Sequence, residues 1–139
     1  MTDDKCIFCR IVRGDLPATI VHDDVGTMAF MDAMPQSNGH VLVIPKRHAE
    51  TIFDVEADEA AQLIRLSHRV AHAIRASLQP DGLMLAQFNG RAAGQTVGHL
   101  HFHLIPRAFG SELKFHATAP AKAEDLAHTR DRIKAAFTA

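Results

Sequence analysis

Three histidines alternate with apolar residues near the middle of the chain, where residues 99–105 read His-Leu-His-Phe-His-Leu-Ile. Successive side chains of a β-strand point to opposite faces, so a strand here places the imidazoles on one face and the leucines and phenylalanine on the other. We expect the apolar face to pack on the core and the histidine face to line a polar site. Such a face has three interpretations: a solvated surface, a catalytic metal held by His99 and His101, or nucleophilic attack on phosphorus.

A loop with three glycines directly precedes these histidines. Residues 89–98 read Asn-Gly-Arg-Ala-Ala-Gly-Gln-Thr-Val-Gly, and glycine lets backbone N–H groups approach an anion closely. Asn89, Gln95 and Thr96 add side-chain hydrogen-bond donors. Because the loop leads straight into the histidine segment, donors and imidazoles can converge on one phosphate. The combination favours chemistry on phosphorus over the other two interpretations.

Two cysteines, Cys6 and Cys9, are separated by two residues. This spacing suits two thiolates on one zinc ion, although the pair supplies only two of four ligands. In a reducing compartment such a pair is expected to be a metal or redox pair and not a structural disulfide. The alternative is two buried free thiols that pack the N-terminal segment.

The composition of the chain excludes some classes of binding partner. The chain has 139 residues, which fits one domain, and its formal net charge is -1. No strong basic field is present to hold DNA or RNA, and no apolar run approaches the roughly 18–20 residues of a membrane span. Residues 1–5 are polar and acidic, unlike a signal peptide. We therefore expect a cytoplasmic protein without nucleic-acid or membrane partners.

Hydrophobic periodicity and turn-forming residues predict the helices and strands that position these residues. The longest is a helix over residues 56–78, whose leucine, isoleucine and valine side chains recur at spacings of three and four. Proline is expected to end two strands, at Pro45 and Pro106. The order predicts an α+β fold with a mostly antiparallel sheet, one long helix and a C-terminal helix. The remaining predicted elements are a helix over 6–13, strands over 19–21, 27–31, 40–44, 83–88 and 99–105, and an amphipathic helix over 121–137.

The histidine segment resembles the signature of the histidine triad (HIT) family, in which three histidines alternate with apolar residues. The segment from Phe30 to Asp32, followed by Pro35 and residues 40–48, is similar to the N-terminal half of that family, and residues 89–97 are similar to its phosphate loop. The resemblance covers residues 6 to about 107. It implies one HIT-like α+β domain over residues 1–139, with a core at 6–107 and a helical extension at 108–139.

The family implies a homodimer with a nucleoside monophosphate pocket in each subunit. By resemblance, neutral His101 attacks the α-phosphorus, its Nδ1–H held by a backbone carbonyl, and water then hydrolyses the nucleotidyl-histidine. His103 contacts the phosphate and protonates the leaving group, and His40 belongs to the hydrogen-bond network behind the nucleophile. No catalytic cofactor is implied. The remaining expected contacts are Leu16 and Phe30 at the base, Asp32 at the ribose, and Asn89, Gly94, Gln95, Thr96 and Val97 at the phosphate.

The resemblance also extends to a structural zinc site. Some bacterial-type members bind zinc through two cysteines, the histidine after a Pro-Lys-x turn and the first triad histidine. The matching residues here are Cys6, Cys9, His48 and His99. Four protein ligands would close the site, so the metal would stabilise the fold and take no part in catalysis.

Some features depart from the best-known nucleotide-binding branch, which ends soon after the triad in a tryptophan-bearing tail. This chain has no tryptophan and continues for about thirty residues past Arg107. Histidine at position 103 argues for hydrolysis, since a nucleotidyl-transferring relative carries glutamine there. Three hypotheses result: a hydrolase of purine nucleoside phosphoramidates or related conjugates, a dinucleoside polyphosphate hydrolase, or a nucleotide-binding scaffold without catalysis.

Overall fold

The computed structural model describes residues 4–111 and 119–137, so residues 112–118 of the predicted helical extension lie outside the described part. The chain folds into an antiparallel sheet flanked by helices, which confirms the predicted α+β class. No described helix has the length and apolar character needed to cross a membrane. The elements in chain order are α1 (Ile7–Arg13), β1 (Ile20–Asp23), β2 (Thr27–Met31), β3 (Val41–Pro45), α2 (Ala57–Leu78), β4 (Gly82–Gln87), β5 (Phe102–Arg107) and α3 (Ala123–Ala135).

The sheet has five strands in the order β1-β2-β3-β5-β4, and all neighbours are antiparallel. The histidine-bearing strand β5 therefore lies between β3 and β4. Helices α2 and α3 pack on one face of the sheet over the larger core cluster, while α1 packs over a second cluster that contains Phe8, Phe30 and Leu42. The functional residues lie on this second side.

Helix α2 forms because its sequence combines a cap with an apolar stripe. At its start, the Glu59 side chain accepts from the backbone N–H of Glu56. Leu63, Val70 and Ile74 recur along one face and are fully buried.

The C-terminal helix α3 packs its own apolar residues against α2 and β1, with Ile133 fully buried. The apolar face of α3 therefore packs on its own domain.

One of the two prolines ends its strand as predicted, and the other does not. Pro45 is the last residue of β3 and Pro106 lies within β5, which continues to Arg107. The pairing of β3 with β5 covers only residues 41–43 and 102–104. Both prolines lie beyond it, where each is paired with a neighbour strand on one side only. A missing N–H on the open side costs no ladder hydrogen bond, so proline is tolerated there.

The histidine strand also begins later than predicted. Strand β5 starts at Phe102, and residues 99–101 are not part of it. The backbone N–H of Leu100 donates to Ala49 in the connection after β3, so this stretch is held outside the sheet. The apolar half of the alternation is nevertheless as expected, because Leu100, Phe102 and Leu104 all lie in the larger core cluster.

Candidate active site and metal cluster

A cavity of about 860 Å³, here called the main cavity, lies between α1, the sheet and the start of α3. His101 and His103 line it, whereas His99 does not, so the prediction that all three histidines face one polar site is wrong. The backbone outside β5 turns the buried His99 ring towards the cysteines of α1. The walls are largely apolar side chains, including Phe8, Ile11, Phe30, Leu42, Met84, Phe88, Ile105 and Leu126.

His101 is held as a neutral imidazole with its tautomer defined. Its Nδ1 lies 2.7 Å from the backbone carbonyl of His99 and donates to it, which leaves the lone pair on Nε2. Burial lowers the pKa of His101, although the hydrogen bond to the carbonyl acts in the opposite direction. The edge of the ring packs on Phe8, with ring centres 5.2 Å apart. An uncharged nitrogen lone pair in a cavity wall is the requirement for a nucleophile.

His40 and His103 form a chain of hydrogen bonds beside His101. The backbone N–H of Gln36 donates to His40 Nδ1 at 3.0 Å, so the proton of neutral His40 is on Nε2. This Nε2–H donates to Nδ1 of His103, also at 3.0 Å. The proton of a neutral His103 is therefore on Nε2. Burial, together with the charges of His103 and His101, lowers the pKa of His40 to about 3 and keeps it neutral.

Asp32 has both a structural contact and a place in the cavity wall. Its Oδ1 accepts from the backbone N–H of Met34, an Asx turn that holds the loop after β2. Its Oδ2 lies 3.5 Å from Nε2 of His40. Burial raises the pKa of Asp32, against the effect of the hydrogen bond from Met34. The carboxylate is thus held in the cavity between the apolar wall and the histidines.

Only part of the loop before the histidines lines the main cavity. Thr96 and Val97 line the main cavity, whereas Asn89, Gly94 and Gln95 do not. The Gln95 amide donates to the carbonyls of Glu50 and Val97 and accepts from the N–H of Gly90, so it holds the loop together. We therefore correct the prediction that the Gln95 side chain supplies a donor to phosphate.

The Asn89 side chain, predicted at the phosphate, likewise forms hydrogen bonds to neighbouring residues. Its Oδ1 accepts from the backbone N–H of Ile52 at 2.8 Å, and its amide pairs reciprocally with that of Gln87.

Leu16 was expected in the base wall, but Pro17, Ala18 and Thr19 line the cavity instead. The N–H of Leu16 still bonds to the last turn of α1, through the carbonyl of Arg10. The chain reaches the cavity only one residue later.

Sequence reasoning missed the contribution of α1 and α3 to the cavity wall. Phe8 and Ile11 on α1, and Leu126 on α3, face the cavity although none belongs to the motifs. Phe8 lies between the two cysteines in the sequence, and its ring meets Phe30 edge-on at 5.4 Å. Ile7 and Phe8 both lie between the cysteines and both line the cavity, so apolar residues within a predicted cysteine pair are the signal that could have identified this wall.

Cys6, Cys9, His48 and His99 converge at one point, with their potential ligand atoms all within 4.8 Å of one another. His99 Nδ1 lies 3.3 and 3.6 Å from the two sulfurs, and His48 Nδ1 lies 3.2 Å from Cys9 Sγ. Tetrahedral zinc, with Zn–S of about 2.3 Å and Zn–N of about 2.0–2.1 Å, places sulfur and nitrogen about 3.6 Å apart. The donor set and its spacing therefore fit a closed zinc site.

The surroundings of this cluster favour metal ligation. Nε2 of His99 donates to the carbonyl of Pro45 at 2.8 Å, which directs the Nδ1 lone pair at the sulfurs. Burial lowers the pKa of His99 to about 4, so the ring is neutral. Burial also raises the pKa of the Cys6 thiol. A buried thiolate needs a cation, and a metal ion supplies one.

The sheet topology, the histidine-lined cavity and the adjoining loop together define a class of small α+β domain, and comparison with known proteins identifies the family. The model of the HIT domain matches residues 13–110, and the chain belongs to the HIT family. It is 41% identical over 103 residues, 74% of each chain, to the adenosine 5′-monophosphoramidase hnt1 of Schizosaccharomyces pombe.

Two solved structures share the fold over almost the whole chain. A Hit-like protein from Bartonella henselae superposes with a TM-score of 0.91 and 38% identity, covering 97% of this chain and 98% of that one. A zinc-bound histidine triad family protein from Mycobacterium smegmatis superposes with a TM-score of 0.84 and 36% identity, covering 95% and 92%.

Proposed function

We propose that this protein hydrolyses purine nucleoside phosphoramidates or related nucleotidyl conjugates at the α-phosphate, with His101 as the nucleophile. The observation that carries the proposal is the 2.7 Å hydrogen bond from His101 Nδ1 to the His99 carbonyl, which fixes the tautomer and leaves the Nε2 lone pair available in a nucleotide-sized cavity, while burial favours the neutral ring. The name of the fission yeast relative as a phosphoramidase supports the same activity.

The main cavity suits the three parts of a nucleotide. Phe8, Ile11 and Phe30 offer apolar surfaces for the base, and such walls grip purines generally. Asp32 accepts hydrogen bonds from the ribose hydroxyls. His101, His103 and Thr96 lie at the phosphate end, where backbone N–H groups of the loop stabilise charge on the phosphoryl oxygens.

The reaction proceeds in two displacements. In the first, Nε2 of His101 bonds to phosphorus, the bond from phosphorus to the leaving nitrogen breaks with its electrons on nitrogen, and that nitrogen takes up a proton. We propose that this proton passes through Nε2 of His103, which the chain from Gln36 through His40 orients. In the second, water attacks phosphorus, releases one proton and frees His101. One proton is consumed and one is returned, so the cycle balances.

The test is turnover of adenosine 5′-phosphoramidate by the wild type and by His101→Ala, followed by released AMP and by intact mass. We expect His101→Ala to lose at least about a thousandfold in kcat/KM, and trapped wild-type protein to gain the mass of an adenylate. His128→Ala, which removes an exposed histidine on α3, is the matched control and should keep wild-type turnover. Equal inertness of wild type and His101→Ala, with AMP binding retained, would refute the phosphoramidase activity. Dinucleoside polyphosphates would then be the next substrates to test, and inertness towards those too would leave a nucleotide-binding scaffold without catalysis.

We also propose that Cys6, Cys9, His48 and His99 hold a structural zinc ion, as the zinc-bound mycobacterial relative suggests. A cytoplasmic location, where thiols stay reduced, suits such a site. We expect about one zinc per chain by metal analysis, and a lower melting temperature after chelation. If the zinc is structural, protein kept below that temperature retains turnover. Loss of turnover on chelation, with recovery on adding metal to folded protein, would instead indicate a catalytic metal.

We further propose that the chain forms a homodimer. Strand β4 is an edge of the sheet, and its Leu85 side chain is 53% exposed. An edge strand with an exposed apolar residue favours association. Sedimentation should give the mass of two chains, and Leu85→Lys should shift the equilibrium towards one. A wild-type monomer at assay concentration would refute the dimer.

A further inference from the structure

Helix α2 carries two histidines that the proposed reaction does not use. His68 and His72 are both exposed, their Nε2 atoms lie 3.3 Å apart, and their ring centres lie 4.6 Å apart. Residues four apart on a helix are neighbours on one face, which brings the two rings together. Neither residue lines the main cavity. These two side chains, here called the histidine pair, therefore form a separate feature of the surface.

The backbone under the histidine pair is held in place. Helix α2 runs over Ala57–Leu78, so both histidines lie at least six residues from either end, away from the turns that fray. Val70 and Ile74, close to the pair in sequence, are fully buried in the larger core cluster and hold the helix on the sheet. The separation of the two imidazoles is thus set by one fixed helical turn, and only side-chain torsions remain to be ordered when a ligand binds.

The separation of the two nitrogens fits a shared metal ion. With Zn–N of about 2.0–2.1 Å and a tetrahedral angle, two nitrogens on one zinc ion lie about 3.3 Å apart. This distance is longer than the range of about 2.7–3.2 Å usual for N–H···O hydrogen bonds in proteins. Helical zinc sites also present two histidines at positions i and i+4. The histidine pair therefore supplies half of a tetrahedral donor set.

The tautomers of the histidine pair can adjust to a metal ion. A metal on both Nε2 atoms requires each proton on Nδ1, and neither Nδ1 forms a hydrogen bond within the part of the chain that the structure describes, so both can point to water. The converging group of Asp32, His40 and His103 differs in this respect. There the N–H of Gln36 occupies Nδ1 of His40, which keeps a proton on the Nε2 that a metal would need. The geometry thus favours a metal ion at the histidine pair and not at that group.

The charges closest to the histidine pair in sequence are positive and oppose a cation. Arg65 and Arg75, three residues before and three residues after the pair, are exposed, so water and salt screen their charges. The guanidinium of Arg69 lies over the Phe137 ring, 4.4 Å from its centre. These charges lower the affinity for a metal ion without occupying the site.

We infer that His68 and His72 bind one divalent transition metal ion of the kind that imidazole prefers, namely zinc, nickel or copper. This site is separate from the cluster of Cys6, Cys9, His48 and His99, and it does not depend on the proposed hydrolysis. Two protein ligands leave the remaining coordination positions to water, so the ion exchanges with solvent, unlike an ion enclosed by four protein ligands. Magnesium is disfavoured, because it prefers oxygen ligands.

The test is calorimetric titration with Zn²⁺ alone, on protein first equilibrated with zinc and then freed of excess. We expect the wild type to bind about one further ion per chain. His68→Gln and His72→Gln should each weaken this binding at least about tenfold, since a single imidazole lacks the effective concentration of the second. His128→Gln, which removes a lone exposed histidine on α3, is the matched control and should bind as the wild type does. Mg²⁺ should give no binding at this site.

Two double variants test the spacing. Ala76 is exposed and lies four residues after His72. His68→Gln with Ala76→His rebuilds an i, i+4 pair and should recover binding to within about threefold of the wild type. His72→Gln with Ala76→His keeps two histidines but separates them by eight residues, about 12 Å along the helix, and should bind as weakly as His72→Gln alone. Unchanged affinity in His68→Gln, or equal recovery in both double variants, would overturn the inference.

Discussion

The buried His40 should make stability depend steeply on pH. His40 is 2% exposed, and burial, with the charges of His103 and His101, lowers its pKa in the folded protein to about 3. In the unfolded chain the pKa of histidine is about 6.5. As pH falls, the unfolded chain takes up this proton first and the folded protein resists it. His40 therefore contributes stability that is present above pH about 6.5 and is lost progressively down to pH about 3.

The size of the effect follows from these two pKa values. Each pH unit between them costs about 1.4 kcal/mol, so the contribution of His40 falls by about 3 kcal/mol between pH 7 and pH 4. The perturbation is His40→Asn, whose side-chain oxygen can still accept from the N–H of Gln36 but does not titrate. We expect the variant to be less stable at pH 7, because the bond to His103 is lost. Its free energy of unfolding should nevertheless fall by about 3 kcal/mol less than that of the wild type on going to pH 4.

The assay is urea unfolding at pH 7 and pH 4, on wild type and His40→Asn with the same metal content. Contributions from titrating groups that do not interact with His40, including the metal cluster, are common to both proteins and cancel in the comparison; His103 and His101, which do interact with it, are included in the difference. His128→Asn provides an exposed-histidine control and should follow the wild type. If His40→Asn loses as much stability as the wild type between the two pH values, His40 is not held neutral in the folded protein, and the tautomer derived for His103 loses its support.

Two further predictions concern packing around the site. Gly39→Ala should lower the free energy of unfolding by about 1–3 kcal/mol, since Gly39 has φ +93° and a Cβ would collide with Leu78 and come within 3.1 Å of Pro106; an unchanged urea midpoint would refute the collision. Ile133→Ala should cost about 2–5 kcal/mol, because this residue of α3 is fully buried against the core. Val25→Ala, at a 94% exposed position, should stay within about 0.5 kcal/mol, and an equally small effect at Ile133 would show that α3 does not pack as described.

Much of the fold could be predicted because its signals are local. The structure places β2 at Thr27–Met31, the bounds that the turn at residues 23–26 and the following β-forming run predict. Helix α2 starts one residue after its predicted beginning and ends where predicted. These elements obey periodicity and capping, which depend on neighbours within a few residues. The end of β5 at Arg107 depends instead on its pairing with Gly82 of β4, and the residues around Pro106 carry no local signal of that non-local pairing.

The sequence predicts which residue types form the candidate site, but it predicts the role of each residue less well. The backbone carbonyl that holds His101 follows from the chemistry of a neutral nucleophile, and the structure provides it. An amide such as Gln95 can donate equally well to a phosphate or to a carbonyl, so its sequence position does not distinguish the two. In the folded protein the Gln95 side chain is buried, and its amide donates to backbone carbonyls and not to a phosphate.

His99 links the proposed zinc cluster to His101, the proposed nucleophile. Its side chain lies between the cysteine sulfurs and the carbonyl of Pro45, while its own carbonyl accepts from Nδ1 of His101. Anchoring the ring therefore fixes the peptide whose oxygen sets the tautomer of the nucleophile. A strand over residues 99–105 would have placed the His99 ring beside His101 in the cavity. Because the chain joins the sheet only at Phe102, the first histidine of the motif lies at the cysteine cluster, and the second lines the main cavity as the proposed nucleophile.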